Sequence, residues 1–360
     1  MRRLLLSLTL LLAGCASDRG AAPIVPEAAR VGTVRDVFVV TNRVPADKEM
    51  FGFERAFSPS RLSLGVSVPP NRQPGTVSKG WSRPNPARDF TLVSRTDHPD
   101  RASFRRDLAQ TVAAKGGTVS MFVHGYNNTF VDPVFRMAQL AHDLELPSAL
   151  VTLSWPSRAN PLGYQYDTDS TYFSRPLMEQ TLFDIAATNP TEFVLVAHSM
   201  GSVVVMETLR QIELARPGWV ARNIDGVILM SPDLDVDVFR QVMRGFSAVP
   251  EQFIIIVSGR DQALRLSARL RGDEVRVGNL TDVTPLANLP VQIIDLSNFN
   301  DPRSANHLTA VSSPAVLSIL NAAQDINRGF AGGEQREFEA LPGQRLILRN
   351  ATKIILFPPG

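Results

Sequence analysis

From residue 103 onward, short apolar runs alternate with longer amphipathic ones. The apolar runs are Thr118–Gly125, Ser148–Trp155, Glu192–Ser199, Asp225–Ser231, Gln252–Ser258 and Val291–Ser297. They are too short for buried helices and too continuously apolar for half-exposed strands, so they read as strands covered on both faces. Between them, helical periodicity appears at Ser103–Gly116, Asp132–Leu146, around Arg175–Ala187, Ser202–Leu214, Val236–Arg244 and Asp261–Leu270, and again at Ser313–Ile326. Six strands alternating with helices predict an α/β class fold: a mostly parallel, doubly wound sheet with helices on both faces. Ligands bind such sheets at the carboxyl ends of the strands.

The ends of the chain are less regular. Thr33–Arg43, Arg61–Pro69 and Phe90–Thr96 read as strands, and the rest of residues 44–88 as loops rich in Pro, Gly, Ser and Arg. The polar stretch between Trp155 and Ser174 reads as a loop. With Tyr164, Tyr166, Asp167 and Asp169 it either shapes a pocket or is plain surface. After residue 328 a Gly-rich stretch precedes Gln344–Pro359, which suggests a final hairpin. The expected division is a leader over 1–14, a tether over 15–32, the α/β domain over 33–327 and an extension over 328–360.

The chain has 360 residues, 44% of them hydrophobic, enough for one large core. The formal net charge is +2, and Arg2 and Arg3 account for two positive charges. No basic patch with interleaved aromatics is present, so nucleic acid is not an expected partner.

Those two arginines precede an apolar stretch, Leu4–Leu12. It is far short of the roughly twenty residues that span a bilayer and reads as a secretion signal. Leu12-Ala13-Gly14-Cys15 resembles the lipobox of bacterial lipoproteins, which implies cleavage before Cys15 and a lipid on it. The alternative is a plain secretory signal that contains a cysteine. Cys15 is the single cysteine of the chain, so no internal disulfide can form. Several acyl chains on one residue would hold the protein firmly on a membrane. Ala16 and Ser17 follow, without an Asp after the cysteine, so the expected location is the bacterial outer membrane, facing the periplasm.

Candidate chemistry centres on Ala197-His198-Ser199-Met200-Gly201, where a buried strand turns directly into a helix. A nucleophile elbow needs this sharp turn, with small residues two before and two after the serine. Ala197 and Gly201 meet that requirement, in an A-x-S-x-G variant of G-x-S-x-G. The helix behind Ser199 favours negative charge at its start. The alternative is a serine that merely caps a helix.

A serine needs a base to become a good nucleophile. In α/β-hydrolases the order is Ser, acid, His. His98, His124, His142 and His198 precede Ser199, and only His307 follows it. Asp261, just beyond the strand Gln252–Ser258, is the first choice for the acid. Asp233 is the main rival and Asp235 a weaker one, with the unused carboxylate expected to cap a helix. After the strand at 118–125, His124-Gly125-Tyr126 sits where one oxyanion donor is placed, so the N–H groups of Tyr126 and Met200 are the expected pair. Gly125 lets the backbone approach. His124 is expected to be a buried, structural histidine.

The segments "FVHGYNNTF", "LSWPS", "VLVAHSMG", "SPDLDVDVF" and "DQALRLS" together resemble a family of uncharacterised bacterial α/β-hydrolases, a domain of unknown function in the esterase/lipase superfamily. The resemblance covers roughly residues 34–325. It implies the α/β-hydrolase fold and a triad of Ser199, Asp261 and His307. The segment around His307 departs from the family's His-Ser-Tyr-like pattern. The expected activity is hydrolysis of a small-molecule or lipid-like ester, or an amide, through an acyl-enzyme, with no metal or cofactor required. A non-catalytic envelope scaffold and an acyltransferase are the alternatives.

Overall fold

The computed structural model describes residues 19–47, 50–258, 264 and 275–297, together with the strand backbones of 337–341, 344–349 and 353–357. The elements in chain order are β1 (Thr33–Ala46), β2 (Met50–Val68), β3 (Thr91–His98), α1 (Arg101–Ala114), β4 (Thr118–Val123), α2 (Asp132–Asp143), β5 (Ala149–Ser154), α3 (Tyr164–Ala186), β6 (Glu192–His198), α4 (Gly201–Ala215), α5 (Trp219–Asn223), β7 (Gly226–Met230), α6 (Val236–Arg244), β8 (Gln252–Val257), β9 (Gln292–Asp295), β10 (Glu337–Leu341), β11 (Gln344–Arg349) and β12 (Lys353–Phe357).

Among the described residues the strands form one sheet in the order β3-β2-β1-β5-β4-β6-β7-β8-β9-β12-β11-β10. From β1 through β12 in that order every neighbouring pair is parallel. The pairs β1–β2 and β2–β3 at one end, and β12–β11 and β11–β10 at the other, are antiparallel. The sheet is therefore mostly parallel, as the strand–helix alternation predicts. From β4 the chain leaves to one side into β5 and returns to the other side as β6. The carboxyl ends of β4 and β6 are therefore the switch point of the sheet, where such sheets bind ligands.

Alternation within each strand separates two cores. Val119, Met121 and Val123 of β4 and Val151 and Leu153 of β5 face a core shared with α1, α3, α4 and α6. Phe122, Leu150, Val37 and Val39 face the opposite core under α2. A strand with both faces occupied must be apolar at consecutive positions, which is why these strands are continuous apolar runs.

Three segments differ from the sequence reading. β2 is a single strand of 19 residues, although Met50–Ser60 reads as loop. It runs antiparallel to β1, with register irregularities between Thr41 and Pro45, so Pro and Gly are accommodated where the ladder is broken. α3 begins at Tyr164, so the polar stretch before Ser174 is largely helix. Its inward face is polar: Asp167, Ser170, Thr171 and Ser174 are all buried. Much of the stretch read as a tether is held against the domain. Pro26–Arg30 forms a 3-10 turn with Ala28 fully buried, and the Val25 N–H donates to the Leu92 carbonyl at 2.7 Å. Among the described residues no helix is long and apolar enough to cross a membrane.

Candidate active site

β6 ends at His198 and α4 starts at Gly201, leaving two residues for the turn. Ser199 occupies it with φ +52°, in the left-handed region. A non-glycine residue there costs about 1–2 kcal/mol, and the turn persists because its surroundings hold it. The Ser199 N–H donates to the Met230 carbonyl at 2.9 Å. The Ser199 carbonyl accepts from the N–H of Ser202 at 3.0 Å and of Asp233 at 3.2 Å. A Cβ at Gly201 would stand 2.3 Å from the His124 carbonyl oxygen and 2.6 Å from that of Val123. The position two residues after Ser199 therefore has to be glycine. Ala197, on the other side, fits its methyl into the core.

The loop after β4 lies against this turn. A Cβ at Gly125 would meet the Ser199 Cβ at 2.8 Å. Among the described residues, the N–H groups of Tyr126 and Met200 have no acceptor.

Several side chains fix that loop. His124 is buried and stacks on Trp155, with ring centroids 4.6 Å apart and planes 6° from parallel. Its Nδ1 lies 2.7 Å from the Gly125 carbonyl oxygen, and Trp155 Nε1 donates to the His124 carbonyl at 2.8 Å. Burial, then the positive charge of Arg43, pushes the His124 imidazole down to about 3. It is neutral at pH 7 and structural, as the sequence suggests. Arg43, fully buried at the bend of β1, donates to the carbonyls of Gly52, Ser157 and Asn128 at 3.0–3.1 Å. Asp167 of α3 accepts from Asn127 N at 3.0 Å, Ser157 Oγ at 2.6 Å and Arg158 N at 2.6 Å. Burial raises the Asp167 carboxyl, and these hydrogen bonds oppose the rise. Arg19 donates to the carbonyls of Ala159 and Asn127 at 2.8 and 2.7 Å. Nothing in the sequence pattern singles out Arg43 or Arg19 for this work. A charge beside an apolar strand reads as a strand end.

The candidate carboxylates separate clearly. Asp233 is buried, accepts from the Tyr164 hydroxyl at 2.7 Å, and faces the buried Arg276, whose Nε is 3.5 Å from Oδ1. It is not the N-cap expected there. Asp235 caps α6 instead, accepting from Asp237 N at 2.9 Å and Val238 N at 3.0 Å. Asp233 follows β7 too closely to reach the helix start, and Arg276, far along the chain, supplies its partner. Asp261, His307 and Cys15 lie outside the described residues. Among the described residues no cluster of three or more His, Cys, Asp or Glu is placed to hold a metal ion.

The family described as "Alpha/beta hydrolase of unknown function (DUF900)" matches residues 100–324, which contain both Ser199 and the loop against it. No curated protein matches the sequence. Among solved structures, the dienelactone hydrolase of Anabaena variabilis ATCC 29413 is similar over 74% of this chain and 90% of its own, at 12% identity and a TM-score of 0.34. With its elbow between a parallel strand and a helix, and with the family match spanning most of the α/β domain, the chain belongs to the α/β-hydrolase family of unknown function DUF900.

Proposed function

We propose that the protein is a serine hydrolase that cleaves a carboxylic ester, or an amide, through an acyl-enzyme. Ser199 is the nucleophile, His307 the base and Asp261 the residue that orients the imidazole. Ser199 Oγ bonds to the substrate carbonyl carbon while its proton passes to His307. The N–H groups of Tyr126 and Met200 hold the oxyanion. His307 returns the proton to the leaving group, then activates a water that releases the acid. The chemistry requires no metal or cofactor. A lipid on Cys15 would place the enzyme on the bacterial outer membrane, facing the periplasm, with small or lipid-like esters as substrates.

The observation that carries this reading is the left-handed backbone of Ser199, wedged between Gly125 and a position that excludes any Cβ. A helix cap is extended and unstrained, so Ser199 does not have the backbone of a cap. Asp233, which accepts from Tyr164 and faces Arg276, is the rival to Asp261 for the orienting role.

The test uses the full chain in mild detergent, with and without Ser199→Ala. Fluorophosphonate labelling and turnover of short p-nitrophenyl esters should both be present in the wild type, with labelling of the Ser199 peptide lost in the variant. A folded wild-type protein with no label on Ser199 would sink this reading and favour the non-catalytic scaffold. Faster release to an added alcohol than to water would favour acyl transfer.

A further inference from the structure

A serine–histidine–aspartate arrangement stands four strands away from Ser199. In the β2–β3 pair, Arg61 faces His98 and Ser63 faces Thr96. Ser63 and His98 are therefore diagonal neighbours on one face of the sheet, within side-chain reach. Ser63 Oγ lies 2.8 Å from His98 Nε2. His98 Nδ1 lies 3.4 Å from Oδ2 of Asp107, on α1. The imidazole is held by stacking on Phe38, at 6.0 Å and 18°, and by an edge contact with Phe104, at 5.4 Å and 86°.

With Asp107 at Nδ1, the favoured tautomer carries its proton there and leaves Nε2 free to accept from the Ser63 hydroxyl. The order is nucleophile, base, orienting carboxylate. Burial draws the His98 imidazole below its ordinary value, while Asp107 and Asp97 oppose this, so the ring is neutral at pH 7 and able to take a proton. The half-buried Ser63 also lines a cavity of about 320 Å³ between α1 and the sheet. Its wall carries the hydroxyls of Ser94 and Thr96, and Lys115 against Asp36. That volume is at the lower end for small-molecule sites. Ser63, bonded to His98, thus opens on a polar space.

We propose that Ser63, His98 and Asp107 form a second nucleophilic site, which accepts the acyl group of a small polar ester bound in this cavity. Ser63 Oγ bonds to the carbonyl carbon, its proton passes to His98 Nε2, and the departing alkoxide takes that proton as the ester bond breaks. The site is separate from Ser199, on different strands.

The probe is diisopropyl fluorophosphate, small enough for the cavity. On reaction the Ser63 Oγ–P bond forms, the P–F bond breaks, fluoride leaves and the proton goes to His98. The full chain carrying Ser199→Ala is treated in mild detergent and the modified peptide is located by mass spectrometry. The Ser63 peptide should gain the label. The rate should fall at least tenfold in both His98→Gln and Asp107→Asn. It should rise with pH through a midpoint below 6.5 and then level off, and Asp107→Asn should move that midpoint lower. The charged groups around the ring are Asp107 and its neighbour Arg106 on α1, Asp97 on β3, and Arg61 opposite on β2. Asp107 is 43% exposed, so Asp107→Asn should fold even if His98→Gln does not. An unlabelled Ser63 in a folded chain overturns the proposal, as does a labelling rate that Asp107→Asn leaves unchanged. The Ser199 peptide is read separately in the wild type, so failure at one serine is distinct from failure at the other.

Discussion

The hydroxyl of Tyr164 donates to the carboxylate of Asp233 at 2.7 Å, and the backbone N–H of the same aspartate donates to the carbonyl of Ser199 at 3.2 Å. Asp233 thus joins the first turn of α3 to the elbow, with Arg276 as its counter-charge. Asp233→Asn breaks a buried ion pair and should destabilise the fold by about 3 kcal/mol, while lowering kcat far less than Asp261→Asn does. Urea midpoints together with steady-state rates check this. The reverse ranking of rates would transfer the orienting role to Asp233. Tyr164→Phe leaves the carboxylate one donor short, for a loss of about 1–2 kcal/mol.

Gly201→Ala puts a methyl 2.3 Å from a backbone oxygen that has no freedom to retreat. Overpacking of this kind costs about 1–3 kcal/mol, and here the displaced group is the loop that carries Tyr126. The expected result is a folded protein with a lower thermal midpoint and a loss of kcat/KM larger than the loss of stability alone would give. Thermal melts paired with ester turnover measure both. Activity equal to wild type would mean that the loop and the elbow do not act together.

His307→Ala should leave the fold intact and lower kcat by about a thousandfold or more, as removal of a triad base does. Circular dichroism and p-nitrophenyl ester hydrolysis are sufficient. Full turnover in a folded variant removes His307 from the mechanism.

The buried His124 predicts a dependence of stability on acid. Its imidazole titrates at about 3 in the folded chain and near 6.5 when unfolded. Between those values the unfolded state binds the extra proton. The contribution from a neutral His124 is therefore complete above pH 6.5 and is lost progressively as pH falls towards 3, by several kcal/mol in all. Asp167 works in the opposite direction, because its carboxyl is raised and protonation relieves its burial. Comparing urea midpoints from pH 7 to 4 in wild type and His124→Gln isolates the histidine, whose variant should show the shallower slope.

The elbow was legible because it depends on local sterics: a strand, a serine and small residues at fixed offsets leave few other readings. The two-faced strands were legible for the same reason, since both of their faces are apolar. The first three turns of α3 were not. Their buried side is made of Asp167, Ser170 and Thr171; the two hydroxyls bond to carbonyls of their own helix, but Asp167 is satisfied only once Ser157 and the loop after β4 are in place. Nor could sequence order reveal that β1 returns to pair with β5, because parallel pairing joins strands distant in the chain. The Asp233–Arg276 pair fails the same test, as its partners are on separate segments.

Arg19 holds the carbonyls of Asn127 and Ala159, one on the loop beside Ser199 and the other on the loop leading into α3. Only three residues lie between it and Cys15, and the four steps fully extended reach about 14 Å. With the lipid we propose on Cys15, the Arg19 backbone is leashed within that distance of the anchor, and the 94% exposed Leu162 is three residues beyond Ala159. A lipid-bearing enzyme would therefore sample substrate from the interface itself, where a sparingly soluble ester is confined to two dimensions. The same enzyme cut free of its anchor would meet that ester only at its concentration in water.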